Sequence, residues 1–245
     1  MDIKIEIPEY VKKILDVLHL KGYEAYIVGG CVRDNLIGRV PSDYDVTTNA
    51  LPQEIIKLFP RTVPTGIEHG TVTVLMGNES CEATTYRIDG KYEDSRHPRE
   101  VSFTASLEED LKRRDFTVNA LAYSEETGLI DLFDGIADLK NKIIRCVGDP
   151  KERFSEDALR IMRAFRFSAE LGFEIEKNTL RAAEELGSNL QKISVERIRT
   201  ELMRLICSDN PERILDMYAA GITSYFLPEF DLMMKTGQNN PYHIY

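Results

Sequence analysis

The N-terminal stretch MDIKIEIPEYVKKILDVL spaces its apolar residues at threes and fours, so it reads as a capped amphipathic helix. From about Glu24 to Arg145 the period changes. Short β-rich runs (AYIVGG, YDVTT, TVTVLMG, CEATTYR, TVNALAYS) alternate with helical patterns such as LPQEIIKLF, and the mixture predicts an α+β domain with the sheet as its core. TVTVLM and EATTYR, separated by the polar Gly77-Asn78-Glu79-Ser80, read as a hairpin. Between Ile88 and Ser106 the apolar period lapses into DGKYEDSRHPREVSFTAS, which predicts a long, mobile loop. After Gly148-Asp149-Pro150 the strand patterns vanish. Amphipathic helices are expected over FSEDALRIMRAFRFSAELGF, EKNTLRAAEELG, SVERIRTELMRLICS and NPERILDMYAAGI, with starts marked by Ser155 near Asp157, by Ser194, and by Asn210-Pro211.

A chain of 245 residues, 42% hydrophobic and 29% charged, has room for one large core or two modest ones. No stretch approaches the apolar length of a membrane span and no signal-peptide pattern opens the chain, so a cytoplasmic address is expected. Cys31, Cys81, Cys146 and Cys207 lie far apart and form no C-x-x-C pair, which predicts buried free thiols. The formal net charge of -10 argues against a protein that coats nucleic acid over a broad basic surface. Any contact with RNA must therefore be local.

Candidate chemistry begins at Asp43 and Asp45 in SDYDVTT. If this segment is a strand, its period of two puts both carboxylates on one face, where they can share a hard divalent cation such as Mg2+. A D-x-D pair alone is more often a surface turn. Gly29-Gly30 gives it context, lying between the strand-like AYIV and the helix-like CVRDNLIG, so that a tight turn would present backbone N–H groups to phosphate oxygens. Arg33 could grip a triphosphate with its forked guanidinium, or pair with Asp34 or Asp43. Glu82 could add a third carboxylate to the site, although an exposed strand glutamate is the commoner explanation. In EEDLKRRDFTVNALAY a charged helix runs into an apolar strand, and Arg113, Arg114, Asp115 and Asn119 cluster at the junction. Arg114 could bind a phosphate or a ribose there, or simply cap a solvated helix end.

In FSEDALRIMRAFRF, Asp157 and Arg160 are neighbours on one helical face, and Arg163 and Arg166 continue the row. A carboxylate that accepts from an exocyclic amine, beside a guanidinium that donates to ring nitrogen or carbonyl, fits the Watson–Crick edges of cytosine and adenine. Uracil and guanine would set a carbonyl against the carboxylate, leaving acceptor facing acceptor. The same spacing also makes an ordinary i,i+3 salt bridge.

Taken in order, Gly29-Gly30 with Arg33-Asp34, Ser42-Asp43-Tyr44-Asp45-Val46, Arg113-Arg114-Asp115-Phe116-Thr117-Val118-Asn119-Ala120, and Glu156-Asp157 with Arg160, Arg163 and Arg166 resemble the bacterial tRNA nucleotidyltransferase and poly(A) polymerase family. The resemblance covers nearly the whole chain. It implies an α+β nucleotidyltransferase head, a small mixed sheet flanked by helices, over residues 1–148. An all-helical neck over 149–207 and the start of a helical body over 208–245 would follow. It assigns metal binding to Asp43 and Asp45, triphosphate and ribose contacts to Gly30, Arg33 and Arg114, and base and phosphate contacts to Asp157, Arg160, Arg163 and Arg166. Gly29, Asn119 and Glu82 join this set as expected nucleotide-binding and catalytic neighbours. The implied activity is Mg2+-dependent addition of CCA to the 3′ end of tRNA from CTP and ATP. An intact Ile88 to Ser106 segment favours complete CCA addition over CC addition. A-only addition or polyadenylation is the alternative within the family, and a non-catalytic RNA- or nucleotide-binding module or a small-molecule nucleotidyltransferase the alternative outside it.

Overall fold

The computed structural model describes residues 4–90 and 101–237, and the chain divides into two compact units, one ending at Asp149 and the other beginning at Pro150. In the first unit α1 (Glu9–Leu20) buries Val11, Ile14, Leu15 and Leu18, as its apolar spacing predicts, but Pro8 precedes it and no side chain caps it. There follow β1 (Ala25–Val28), α2 (Gly30–Leu36), β2 (Asp45–Thr48), α3 (Pro52–Leu58), β3 (Thr62–Gly66), β4 (Thr71–Met76), β5 (Glu79–Thr85), β6 (Arg87–Asp89) and β7 (Val101–Phe103). The unit is completed by α4 (Leu107–Lys112), β8 (Leu121–Ser124), β9 (Gly128–Asp131), α5 (Gly135–Asn141) and the two-residue β10 (Ile143–Ile144).

Seven strands form one mixed sheet in the order β3-β4-β5-β2-β1-β8-β9. Every pairing in it is antiparallel except β2 with β5. Strand β1 lies inside the sheet, between β2 and β8, with all four residues buried, which explains its unbroken apolar AYIV. On one face Tyr26 and Val28 pack with Tyr86, Leu111 of α4, Ala120, Ala122 and Val147. That face also carries the candidate site.

Several expectations need correction. The hairpin connector shrinks to Gly77-Asn78, because Met76 pairs with Glu79, and Gly77 takes the positive φ of 68° that a two-residue turn requires. The run TVNALAYS is not all strand. Thr117–Asn119 form a 3-10 turn held by Thr117 Oγ1 on Asp138 (2.6 Å) and Asn119 Nδ2 on Asp115 (3.1 Å), side-chain bonds that compete with a ladder, and β8 starts only at Leu121. The ends of the supposedly structureless Ile88 to Ser106 segment form an antiparallel ribbon, with Arg87 opposite Phe103 and Asp89 opposite Val101. Residues 91–100, on which the expectation of a mobile loop falls, lie outside the described residues. The edge strands β3 and β9 carried no alternating signal. Pro64 interrupts β3, as an edge strand tolerates, and β9 is only GLID.

The second unit contains α6 (Pro150–Glu156), α7 (Leu159–Leu171), a two-residue β11 (Glu174–Ile175), α8 (Lys177–Leu186), α9 (Val195–Ile206), α10 (Ile214–Ala219) and α11 (Pro228–Lys235). The single helix expected from Ser155 onward is two helices. The first begins earlier, at Pro150, and the break falls at Asp157-Ala158. Glu176 caps α8 by accepting from Thr179 N (2.9 Å), and α7 packs on α9. All four cysteines are free, as expected, but Cys207 is exposed rather than buried. Among the described residues no helix is long and apolar enough to cross a membrane.

Candidate active site

The first part of the site is the turn from β1 into α2. Gly29 has φ 80° and ψ -130°, a conformation closed to other residues, and α2 begins at Gly30. A side chain at Gly29 would come within 3.1 Å of Arg114 Nη1, so the turn and the Arg114 guanidinium lie in close contact. Arg33, the fourth residue of α2, is buried with its guanidinium under Gly30. It donates Nη1 to Asn119 Oδ1 (2.6 Å) and Nε to Asp34 Oδ1 (2.8 Å), so the partner left open in the sequence is Asp34 rather than Asp43. Asn119 is fixed in turn by Asp115, whose Oδ1 also accepts from Phe116 N (2.8 Å). Gly29, Gly30, Arg33, Arg114 and Asn119, far apart in sequence, are thereby one cluster. Arg114 Nε is buried without a hydrogen-bond partner among the described residues.

The second part is acidic. Strand β2 starts at Asp45, so strand alternation places Asp45 alone, and Asp43 lies in the segment that leads into it. Asp45 stands directly opposite Glu82 across the parallel β2–β5 pair, and Val28, the last residue before the glycine turn, is its partner on the other side. The row joins the glycine turn to the carboxylates. Asp45 is exposed as a residue, yet protein crowds around its carboxyl, and this desolvation, with the charges of Asp43 and Glu82, raises its pKa to about 6 against the opposing pull of Arg114. The donors at this face are carboxylate oxygens, the hard ligands that Mg2+ takes. Among the described residues no group of three or more His, Cys, Asp or Glu side chains could hold a metal by itself. An ion here would therefore draw further ligands from water and phosphate, as Mg2+ commonly does.

The helical unit, taken by itself, carries the remaining candidate residues, and here the expected geometry changes. Asp157 is not on a helical face with Arg160. It sits in the break before α7, where Oδ1 accepts from Leu159 N (3.0 Å) as a capping carboxylate, and Arg160 N bonds to its carbonyl (3.0 Å). Its Oδ2 accepts from Arg197 Nη2 of α9 (2.8 Å). Arg160 donates Nη1 to Glu156 Oε2 (2.6 Å) and to the carbonyl of Arg153 (3.2 Å). The row proposed for Arg163 and Arg166 also divides. Arg163 lies over the Phe167 ring, 5.3 Å from its centroid. Arg166 is 1% exposed, bound to Glu201 (2.5 Å) and Glu170 (2.6 Å) and stacked on Phe167 (3.8 Å). That places its guanidinium in the core of the helical unit. Arg197 and Glu201 escaped the sequence reading. Their signal was the i,i+4 pair in SVERIRTE, indistinguishable there from a surface pair.

The chain matches the Poly A polymerase head domain over residues 25–145 and the family described as "Probable RNA and SrmB- binding site of polymerase A" over residues 172–234. It is 50% identical over 223 residues to a CCA-adding enzyme of Levilactobacillus brevis, covering 91% of this chain and 56% of that protein. It is 54% identical over 196 residues to one of Streptococcus suis, covering 80% and 49%. Among solved structures, the CCA-adding enzyme of Bacillus stearothermophilus in complex with CTP superposes with a TM-score of 0.83 at 41% identity, over 89% of this chain and 53% of that one. The Thermotoga maritima CCA-adding enzyme complexed with tRNA gives 0.76 at 26% identity, over 96% and 55%. The chain spans about half the length of the curated relatives it matches. With the glycine turn, the paired aspartates and the arginine cluster in the same order as the motifs that first suggested it, the chain belongs to the bacterial tRNA nucleotidyltransferase and poly(A) polymerase family.

Proposed function

We propose that this chain adds CCA to the 3′ end of tRNA from CTP and ATP, without a template and with release of pyrophosphate. The observation that carries this reading is the convergence of Arg33 and Arg114 on the Gly29-Gly30 turn, one strand position from the Asp45–Glu82 carboxylate row. The names of the similar proteins, CCA-adding enzymes, support the choice of product over polyadenylation.

In this scheme the turn amides, Arg33 and Arg114 hold the triphosphate, and Asn119 keeps Arg33 in place. Asp43 and Asp45 hold a divalent cation, which we take to be Mg2+, with Glu82 completing the acidic face. When bound, the ion supplies electrostatic stabilisation to the charge that develops on the phosphate. The RNA 3′-oxygen forms a bond to the α-phosphorus while the bond to the bridging oxygen breaks and pyrophosphate departs. No protein nucleophile is required. Asp157 and Arg160 read the base edge, with Arg197 and Glu156 holding the carboxylate and the guanidinium ready for it. Arg163 remains a candidate phosphate contact, and Arg166 is left out. We assign residues 149–207 to a neck and 208–245 to the start of a body, and a cytoplasmic place of work follows from a tRNA substrate.

The test is to supply Mg2+, CTP and ATP with tRNA transcripts that lack CCA, end in C, or end in CC, and to sequence what is added. Completion of all three supports the reading, and Asp43→Ala or Asp45→Ala abolishes incorporation while leaving the fold intact. Nucleotide binding without any extension would mark a non-catalytic module instead.

A further inference from the structure

Beneath the glycine turn lies a carboxylate that the scheme above does not use. Asp110, on α4, is fully buried, and both of its oxygens are engaged. Oδ1 accepts from Arg113 Nε (2.9 Å) and Nη2 (2.7 Å). Oδ2 accepts from Arg114 Nη2 (3.4 Å) and from Thr47 Oγ1 (3.0 Å). Thr47 is two residues beyond Asp45 on β2, and so on the same face of the sheet. Arg114 is the side chain that abuts Gly29. One carboxylate thus joins the α4 helix, the strand that carries the acidic row, and the guanidinium at the turn. We propose that Asp110 is a positioning residue for nucleotide binding, which holds Arg114 against the glycine turn and ties it through Thr47 to the strand of Asp45; the proposal rests on the functional reading above.

Core packing alone gives no reason for a carboxylate here, since a buried ion pair is seldom more stable than well-packed apolar side chains of similar volume. What a carboxylate adds is direction. A guanidinium held through a charge-assisted bond loses less orientational freedom when a phosphate arrives, so its cost of ordering is met before the ligand binds. Burial works to raise the Asp110 pKa, but the Arg113 and Arg114 guanidiniums overcome it and hold the carboxyl below the ordinary aspartate value, so Asp110 stays charged at neutral pH.

The experiment measures CTP and CMP affinity calorimetrically in the presence of Mg2+ for the 245-residue chain and for Asp110→Asn, Arg114→Ala and the double variant. Arg114→Ala should weaken CTP about tenfold and Asp110→Asn about fivefold, while the double variant is no weaker than Arg114→Ala because both act through one guanidinium. CMP, which lacks the β and γ phosphates, should bind Asp110→Asn as it binds the unchanged protein; a merely structural role would lower both ligands. Equal losses in the two backgrounds, or none in either, would overturn the proposal. Should Asp110→Asn fail to fold, Thr47→Val removes the strand-side tie, together with a longer contact from the same hydroxyl to the Thr84 carbonyl (3.4 Å), and carries the same test, with a smaller loss of CTP affinity that also vanishes when Arg114 is alanine. Failure of the unchanged protein to bind CTP would sink the functional reading itself, whereas binding with an additive cycle would sink only the role of Asp110.

Discussion

Asp45 binds its proton more tightly in the folded protein than in the unfolded chain, since its pKa rises to about 6 from the ordinary aspartate value. Ionising it therefore costs the folded state stability, a cost that is absent below about pH 4 and complete above pH 6. Asp45→Asn removes the charge and should raise the thermal midpoint of the metal-free protein at pH 7.5, with a gain that shrinks as the pH is lowered from 6 towards 4. A scan of the two proteins at several pH values checks this, and a gain that did not shrink would contradict the assigned cause. Such a trade, in which a residue weakens the resting fold, is what a site that gathers like charges for a cation entails. The residues of this site were legible to different degrees. Asp43, Asp45 and Gly29-Gly30 announced themselves through residue type and short spacing. Asn119 was named at its junction but its hold on Arg33 was not, and Asp110 passed unremarked, because a buried asparagine or aspartate is recognised by the partner it holds, and those partners lie 86 and 63 residues away.

At the level of elements, the helical unit is fastened by arginines reaching across from one helix to another. Arg197 of α9 holds Asp157, and Glu201, one turn further along α9, holds Arg166 of α7. Desolvation lowers the Arg166 pKa against the favourable charges of Glu201 and Glu170, so this guanidinium depends on its partners to remain buried and charged. Glu201→Ala should cost about 1–3 kcal/mol in urea unfolding by leaving the buried Arg166 Nε without its acceptor while Glu170 still pairs with Nη1, whereas Arg166→Met with Glu201→Leu should recover most of that loss. A double variant as unstable as the single one would show that the ion pair itself, and not the relief of an unpaired charge, sustains the packing. The break between α6 and α7 explains why a helical pattern misled at this point. SEDALR is as good a helix sequence as any, and what stops the helix is the Asp157 carboxylate turning back to Leu159 N while Arg197 draws it towards α9. Tertiary pairing overrode local propensity.

For the molecule as a whole, apolar periodicity was enough to separate a β-rich part from a helical one, and family-like motifs gave the order of the chemistry. Neither revealed that a single parallel pairing, β2 with β5, brings Asp45 beside Glu82, because register between strands more than thirty residues apart leaves no local trace. That pairing has a consequence in time as well as in space. Antiparallel neighbours such as β4 and β5 can zip from a two-residue turn, but a parallel pair must wait for a crossover, here the stretch containing α3, β3 and β4, to close first. The acidic row should accordingly be among the last features to mature as the chain folds, with β4–β5 amides protected before those of β2 in pulse-labelled hydrogen exchange. A nascent or heat-damaged molecule would then hold much of its sheet before the acidic row is assembled, so that the cation binding proposed for it would arrive as a late checkpoint on folding.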